Sequence, residues 1–222
     1  DSLDPDIFKH YRPISNLAFL SKVLERVVAR RLNSHTDDHP NSEKRQSSYK
    51  KHHSTETALV KIQDDILSFI DQQNCVILLL LDLSAAFDTV DHPTLLNRLK
   101  NRFGIQDQAL DWISSYFANR RQAVVIEDHR SNENILTCSV PQGSVLGPKF
   151  FTDYVSPLGS LIRFYGLEAH FYAGDTQIYI PFKPCNESSA IQSLESCVVA
   201  IKDWMSNNLL KLNDDKTELI FY

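Results

Sequence analysis

The chain has 222 residues, 42% hydrophobic and 23% charged, with a formal net charge of −5. That is an ordinary globular composition with enough apolar mass for a core. No run of about 18 uncharged apolar residues occurs, which excludes an obvious membrane-spanning helix and leaves no membrane partner to expect. The acidic total argues against a nucleic-acid partner until its distribution is read. Lys9 to Lys61 holds eleven Lys/Arg against five Asp/Glu, whereas Ile62 to Tyr222 holds twelve against twenty. A basic first quarter on an acidic remainder fits a phosphate-gripping lobe joined to a carboxylate-bearing one, although composition alone favours the plainer reading of a solvated basic helix face. The four cysteines are scattered without the close pairs of zinc sites and read as reduced thiols. With Asp1 at one end and Ile220-Phe221 just before the other, the chain reads as an excerpt of something longer.

Leu17, Leu20, Leu24, Val27, Val28 and Leu32 recur at helical spacing, with Lys22, Arg26, Arg30 and Arg31 on the other face. This predicts an amphipathic helix with a basic exterior. Ser54 sits where an N-cap belongs, before Leu59, Ile62, Ile66 and Ile70, and predicts a second helix. Cys75 to Leu83 is a nearly continuous Val/Ile/Leu run, the pattern of a strand buried on both faces, with Asp82 at its mouth. Pro93 suits the first turn of a helix through Leu95, Leu96 and Leu99, and Leu110, Ile113 and Phe117 continue with another.

Gln122 to Ile126 and Asn134 to Val140 read as two strands around a polar turn. After Pro141-Gln142-Gly143-Ser144, an apolar stretch to Tyr165 reads as helical despite Pro148 and Pro157. Ala169 to Ala173 and Thr176 to Ile180 read as two strands joined by a two-residue turn, Gly174-Asp175. A helix from about Ser188 to Asn208 and a strand from Glu218 complete an α+β order, with helices stacked on one face of an antiparallel sheet.

Two carboxylates stand out by position. Asp82 ends a buried strand and Asp175 lies in a hairpin turn, so either side chain can leave the sheet and meet a ligand. Carboxylate oxygens on rigid strand ends suit Mg²⁺, which takes oxygen ligands and shares them with substrate phosphates. Each taken alone reads as readily as a turn residue or helix cap, and Asp88 and Asp91 more so.

Asp82-Leu83-Ser84-Ala85-Ala86-Phe87-Asp88, Val140-Pro141-Gln142-Gly143-Ser144-Val145-Leu146-Gly147-Pro148, Phe171-Tyr172-Ala173-Gly174-Asp175 and Leu212-Asn213-Asp214-Asp215-Lys216-Thr217-Glu218 follow in order. Together they resemble the palm motifs of non-LTR retrotransposon reverse transcriptases. Upstream, Tyr11-Arg12-Pro13-Ile14-Ser15 and Gln46-Ser47-Ser48-Tyr49-Lys50, followed by Ser54-Thr55-Glu56-Thr57-Ala58-Leu59, resemble the fingers motifs of the same family. Group II intron maturases and telomerase share the palm logic, but the Ser-Ala-Ala-Phe-Asp wording is closer to retrotransposons. The resemblance implies a right-hand polymerase: a basic fingers-like segment over 1–73 and a palm over 74–222. A fingers insertion around 92–135 is possible, and the thumb is absent. It implies an RNA template, a DNA primer, dNTPs and two Mg²⁺ ions, which the family holds between carboxylates at the positions of Asp82 and Gly174; Asp82 and Asp175 are the metal-site carboxylates this sequence keeps. Phe87 matches the aromatic that excludes a 2′-hydroxyl, and core packing is its plainer role. Lys216 matches a general acid for the leaving pyrophosphate. Arg12, Lys50, Leu83, Gln142 and Gly143 match nucleotide-binding positions, with plain surface charge the alternative for Arg12 and Lys50.

The turn departs from the family. Gly174 stands where a second Asp, the more important metal ligand, is usual, and a hydrogen atom coordinates nothing. Glycine suits the positive φ of a two-residue hairpin, so the fold should tolerate it. By strand alternation Asp175 is expected on the other side of the turn, unable to replace the lost ligand. Ser48 and Ser139 occupy places where Gly is usual, and Lys50 one where Arg is usual. Two readings stay open: a catalytically weakened RNA-directed DNA polymerase, and a non-enzymatic RNA/DNA-binding remnant that keeps the fold.

Overall fold

The unbroken apolar run of Cys75–Leu81 forms a strand walled in on both faces. The computed structural model describes Ile7, Tyr11, residues 13–84 and residues 86–222. Helices α1 (Phe19–Thr36) and α2 (Thr55–Asp71) precede strands β1 (Cys75–Leu81) and β2 (Leu83–Ser84), which are followed by α3 (His92–Phe103) and α4 (Asp107–Phe117). Four two-residue strands come next: β3 (Arg121–Gln122), β4 (Val125–Ile126), β5 (His129–Arg130) and β6 (Asn134–Ile135). The chain continues through α5 (Gly147–Val155), α6 (Pro157–Phe164), β7 (Glu168–Tyr172), β8 (Asp175–Phe182), α7 (Glu187–Asn207), β9 (Lys211–Leu212) and β10 (Glu218–Phe221). The main sheet is antiparallel in the order β10-β1-β8-β7, and β2 pairs separately with β9. This is the expected α+β architecture.

Strand alternation divides the core in two. Ile77, Leu79 and Leu81 of β1 join Ile178 and Ile180 of β8 in the large core, with Leu95, Leu99, Phe150, Leu158, Ile162 and Ile201 from α3, α5, α6 and α7. Val76, Leu78 and Tyr179 instead meet Ile62 and Ile66 of α2. Helices therefore cover both faces of the sheet rather than one. That is why β1 is apolar at successive positions: each fully buried Val, Leu or Ile contributes about 1.5–3 kcal/mol.

The caps behave as the sequence suggests. The Ser54 hydroxyl accepts from Thr57 N–H while the Ser54 N–H donates to the Thr57 hydroxyl oxygen, closing a capping box on α2. Asp91 accepts from Thr94 N–H at 2.8 Å to start α3, and Gly104, at φ +68, ends it. The apolar stretch after the Pro-Gln-Gly block is two helices, not one. Pro148 and Pro157 each lie in a first turn, where a missing N–H is harmless, and the chain breaks at Ser156. The two strands expected around 128–131 are cut into short ladders, β3 with β6 and β4 with β5, all exposed.

The first helix turns its expected face outward. Phe19 is 76% exposed, and Leu20, Leu24 and Val27 are also exposed, whereas the inward side carries Glu25, Leu32 and Thr36 with Val28 partly covered. The apolar stripe is real, but the protein meets the helix along a neighbouring strip centred on a buried carboxylate.

Candidate active site

β1 and β8 run antiparallel with Leu81 opposite Thr176, so the next residues outward, Asp82 and Asp175, face one another across the open end of the sheet. Lys216, in the 3₁₀ turn Asp214–Lys216 before β10, brings its Nζ to 3.1 Å from Asp82 Oδ2. Asn213 donates its backbone N–H to the Asp82 carbonyl at 2.9 Å and its side-chain amide to Oδ2 at 3.4 Å. Partial desolvation and the adjacent Asp82 carboxylate, within hydrogen-bonding reach, raise the Asp175 pKa, and Lys216 opposes them. The expectation that Asp175 points away is thereby corrected.

The error lies in the register of the turn. Tyr172 pairs with Asp175, so the two-residue turn is Ala173-Gly174, and Asp175 is the first residue of β8. The left-handed conformation falls on Ala173, at φ +56, and not on Gly174. A Cβ added at Gly174 would make ordinary contacts, 3.6 Å to Leu83 Cβ and 3.8 Å to Ala86 Cβ. Neither backbone nor space demands glycine there, and a side chain at 174 would project toward the segment that follows Asp82.

Phe87 stacks on Phe151 with ring centroids 5.1 Å apart and 19° between planes, which fixes a half-buried ring beside the site. The Phe87 carbonyl accepts from Val140 N–H at 2.8 Å, leading the chain into the Pro-Gln-Gly loop. There the Gln142 amide donates to the Asp88 carboxylate at 3.1 Å, and the Gln142 carbonyl accepts from Ser15 N–H at 2.8 Å. Gly143 sits at φ +99, where glycine avoids strain. Leu83 is buried and pairs with Leu212.

Two features escaped the sequence reading. Glu25, 1% exposed, accepts from Val145 N–H at 2.7 Å and Leu146 N–H at 3.1 Å at the start of α5. Its only sequence signal is an isolated acid among the bases of α1. Gly147 is required by packing, since a Cβ there would lie 2.6 Å from Ser144 Oγ and 3.0 Å from the Pro141 carbonyl.

The structure thus brings Asp82, Asp175 and Lys216 together. Lys50 is not among them: its ammonium donates to the Glu43 carbonyl at 3.4 Å, and burial lowers its pKa amid Asp37, Lys149 and Lys44. Arg12 lies outside the described residues. Among those residues no set of three His, Cys, Asp or Glu side chains is arranged to hold a metal ion. Two adjoining carboxylates fit one divalent cation completed by water and phosphate oxygens, and do not fit two. No helix among the described residues is long and apolar enough to cross a membrane.

A family model described as reverse transcriptase (RNA-dependent DNA polymerase) matches residues 4–221. The chain is 29% identical over 212 residues to a probable RNA-directed DNA polymerase from transposon BS of Drosophila melanogaster, and 27% identical over 211 residues to the RNA-directed DNA polymerase from mobile element jockey of the same species. Each match covers 93% of this chain and 23% of the relative, so the chain spans about a quarter of the length of these proteins. Among solved structures, telomerase from Candida albicans in complex with a TWJ fragment of telomeric RNA matches with a TM-score of 0.61 and 13% identity, over 90% of this chain and 34% of that one. Apo telomerase from Candida tropicalis matches with a TM-score of 0.61 and 12% identity over 89% of this chain and 36% of that one, and both likenesses bear on the fold alone. By the match along nearly its whole length and by these relatives, the chain belongs to the reverse transcriptase (RNA-dependent DNA polymerase) family, as a domain of the non-LTR retrotransposon kind.

Proposed function

We propose that the chain is the fingers and palm of a retrotransposon polymerase that extends a DNA primer on an RNA template with dNTPs, and that Gly174 leaves its chemistry impaired. The observation that carries this reading is the meeting of Asp82, Asp175 and Lys216 at the open strand ends, with position 174 directed at the adjoining segment. Reverse transcriptases generally use divalent metal ions, and Asp82 and Asp175 are the residues that would hold Mg²⁺ here. When bound, such an ion neutralises the triphosphate and makes the primer 3′-hydroxyl a better nucleophile. Lys216 is placed to protonate the leaving pyrophosphate, and the Phe87 ring, fixed by Phe151, to exclude a 2′-hydroxyl. Residues 1–73 serve as the basic fingers segment, with Arg12 as its matching phosphate-binding residue and Lys50 able to join it only by leaving the Glu43 carbonyl. Residues 74–222 serve as the palm, where Leu83, Gln142 and Gly143 border the nascent pair. Gly174 withholds the carboxylate that a second ion needs.

Primer extension on an RNA template with dNTPs and Mg²⁺ tests this, comparing the native chain with Gly174→Asp and with Gly174→Asp/Asp82→Ala. The expected gain for Gly174→Asp is on the order of 10² or more, with template affinity little changed, because the new group acts in the transition state. The added Asp82→Ala should abolish that gain. Gly174 itself favours the second reading, a non-enzymatic RNA/DNA-binding remnant. A folded, template-binding Gly174→Asp variant that extends nothing would establish that reading instead.

A further inference from the structure

Ala173 occupies the left-handed region at φ +56, which is unfavourable for an L-residue with a Cβ. Such a conformation persists where its surroundings over-determine it. Here they belong to a single distant loop. The Ala173 N–H is shared between Ser48 Oγ at 2.8 Å and Gln46 Oε1 at 3.2 Å, and the Ala173 carbonyl accepts from Gln46 Nε2 at 3.5 Å. Ser48 is tied in turn to Gln46 Oε1, through its hydroxyl at 2.8 Å and its N–H at 3.1 Å. Along the open edge of β7, Ser47 N–H donates to the Phe171 carbonyl at 2.9 Å and Phe171 N–H to the Arg45 carbonyl at 3.0 Å, a short parallel bridge. Ser47 Oγ lies 2.8 Å from His170 Nε2. Gln46 and Ser48 are 4% and 3% exposed, so water does not compete for these bonds.

We propose that Gln46 and Ser48 are positioning residues for the catalytic turn: they lock Ala173 in its left-handed conformation and so aim Asp175 at Asp82. The inference rests on the nucleotidyl-transfer reading of the site. The lock acts on the backbone one residue before Gly174 and two before Asp175, and touches neither substrate nor ion. It also makes the geometry of the carboxylates depend on the loop that continues into Tyr49 and Lys50.

Two measurements test it without requiring polymerase activity. Amide hydrogen exchange at Ala173 should quicken about fivefold to tenfold in Ser48→Ala and in Gln46→Ala, while exchange in α7 stays unchanged. Mn²⁺ affinity of the Gly174→Asp chain, read from the signal of free Mn²⁺ in electron paramagnetic resonance, should fall several-fold when Ser48→Ala is added. It should recover with Ser48→Thr, which keeps the hydroxyl. Unchanged exchange at Ala173 overturns the lock. Faster exchange with unaltered Mn²⁺ affinity reduces the loop to a structural role and overturns the positioning. Should Gly174→Asp bind Mn²⁺ but extend no primer, the polymerase reading fails while the Ser48 comparison still decides this inference.

Discussion

Glu25→Ala should weaken the protein more than any change on the outward face of α1. The carboxylate is buried and receives three donors: Val145 N–H at 2.7 Å, Leu146 N–H at 3.1 Å and the Ser21 hydroxyl at 3.2 Å. Val145 and Leu146 immediately precede α5, so a side chain from α1 caps a helix some 120 residues away, where the dipole also favours a negative charge. Alanine leaves two amide donors unpaired beside the fully buried Leu146, and each such donor is unfavourable by about 1–3 kcal/mol. Some relaxation is expected, which sets the loss at roughly 2–4 kcal/mol. Glu25→Gln keeps one acceptor oxygen and should lose about half as much. Urea unfolding followed by far-ultraviolet circular dichroism measures both, with the midpoint moving at constant slope. A loss under about 0.5 kcal/mol for the alanine variant, the range of ordinary surface changes, would refute the pinning argument.

Ser139 stands at φ +90, so Ser139→Gly should raise stability by about 0.5–1 kcal/mol, read from the thermal midpoint; the bond from its N–H to the Val90 carbonyl is kept, so a fall would mean that the added freedom of the unfolded glycine chain outweighs the relieved strain. Burial lifts the Asp153 carboxyl to about 6 against the pull of Lys149 at 3.1 Å, so the native state holds that proton more tightly than the unfolded chain does. Stability should therefore fall as pH rises from about 4 to 6. Asp153→Asn should gain up to about 3 kcal/mol on the native chain above that window and nothing below it, and equal differences at both ends would contradict the assignment. In the Gly174→Asp background, Phe87→Ala should raise rNTP over dNTP incorporation, and an unchanged ratio would return the ring to its packing on Phe151. Template binding should weaken steeply between roughly 50 and 200 mM salt, with salt-independent affinity contradicting an electrostatic grip.

Much of the fold was legible because it is written in neighbouring residues. The buried strand, the Ser54 and Asp91 caps, the helix closed by Gly104 and the helix from Glu187 to Asn207 follow from spacing and end signals acting over a few positions. The order of the motifs likewise indicated Asp82, Asp175 and Lys216 before any geometry was known. The turn was misread because Gly174 advertises a positive φ that the structure assigns to Ala173, and one residue of register sends Asp175 to the opposite face. The outward apolar stripe of α1 was misjudged because amphipathicity reports a face without naming what meets it. Glu25 with Val145, Ser48 with Ala173 and Lys216 with Asp82 are separated by more than a hundred residues. Their pairing depends on how the sheet, helices and loops close on one another, and local propensity carries no information about that closure.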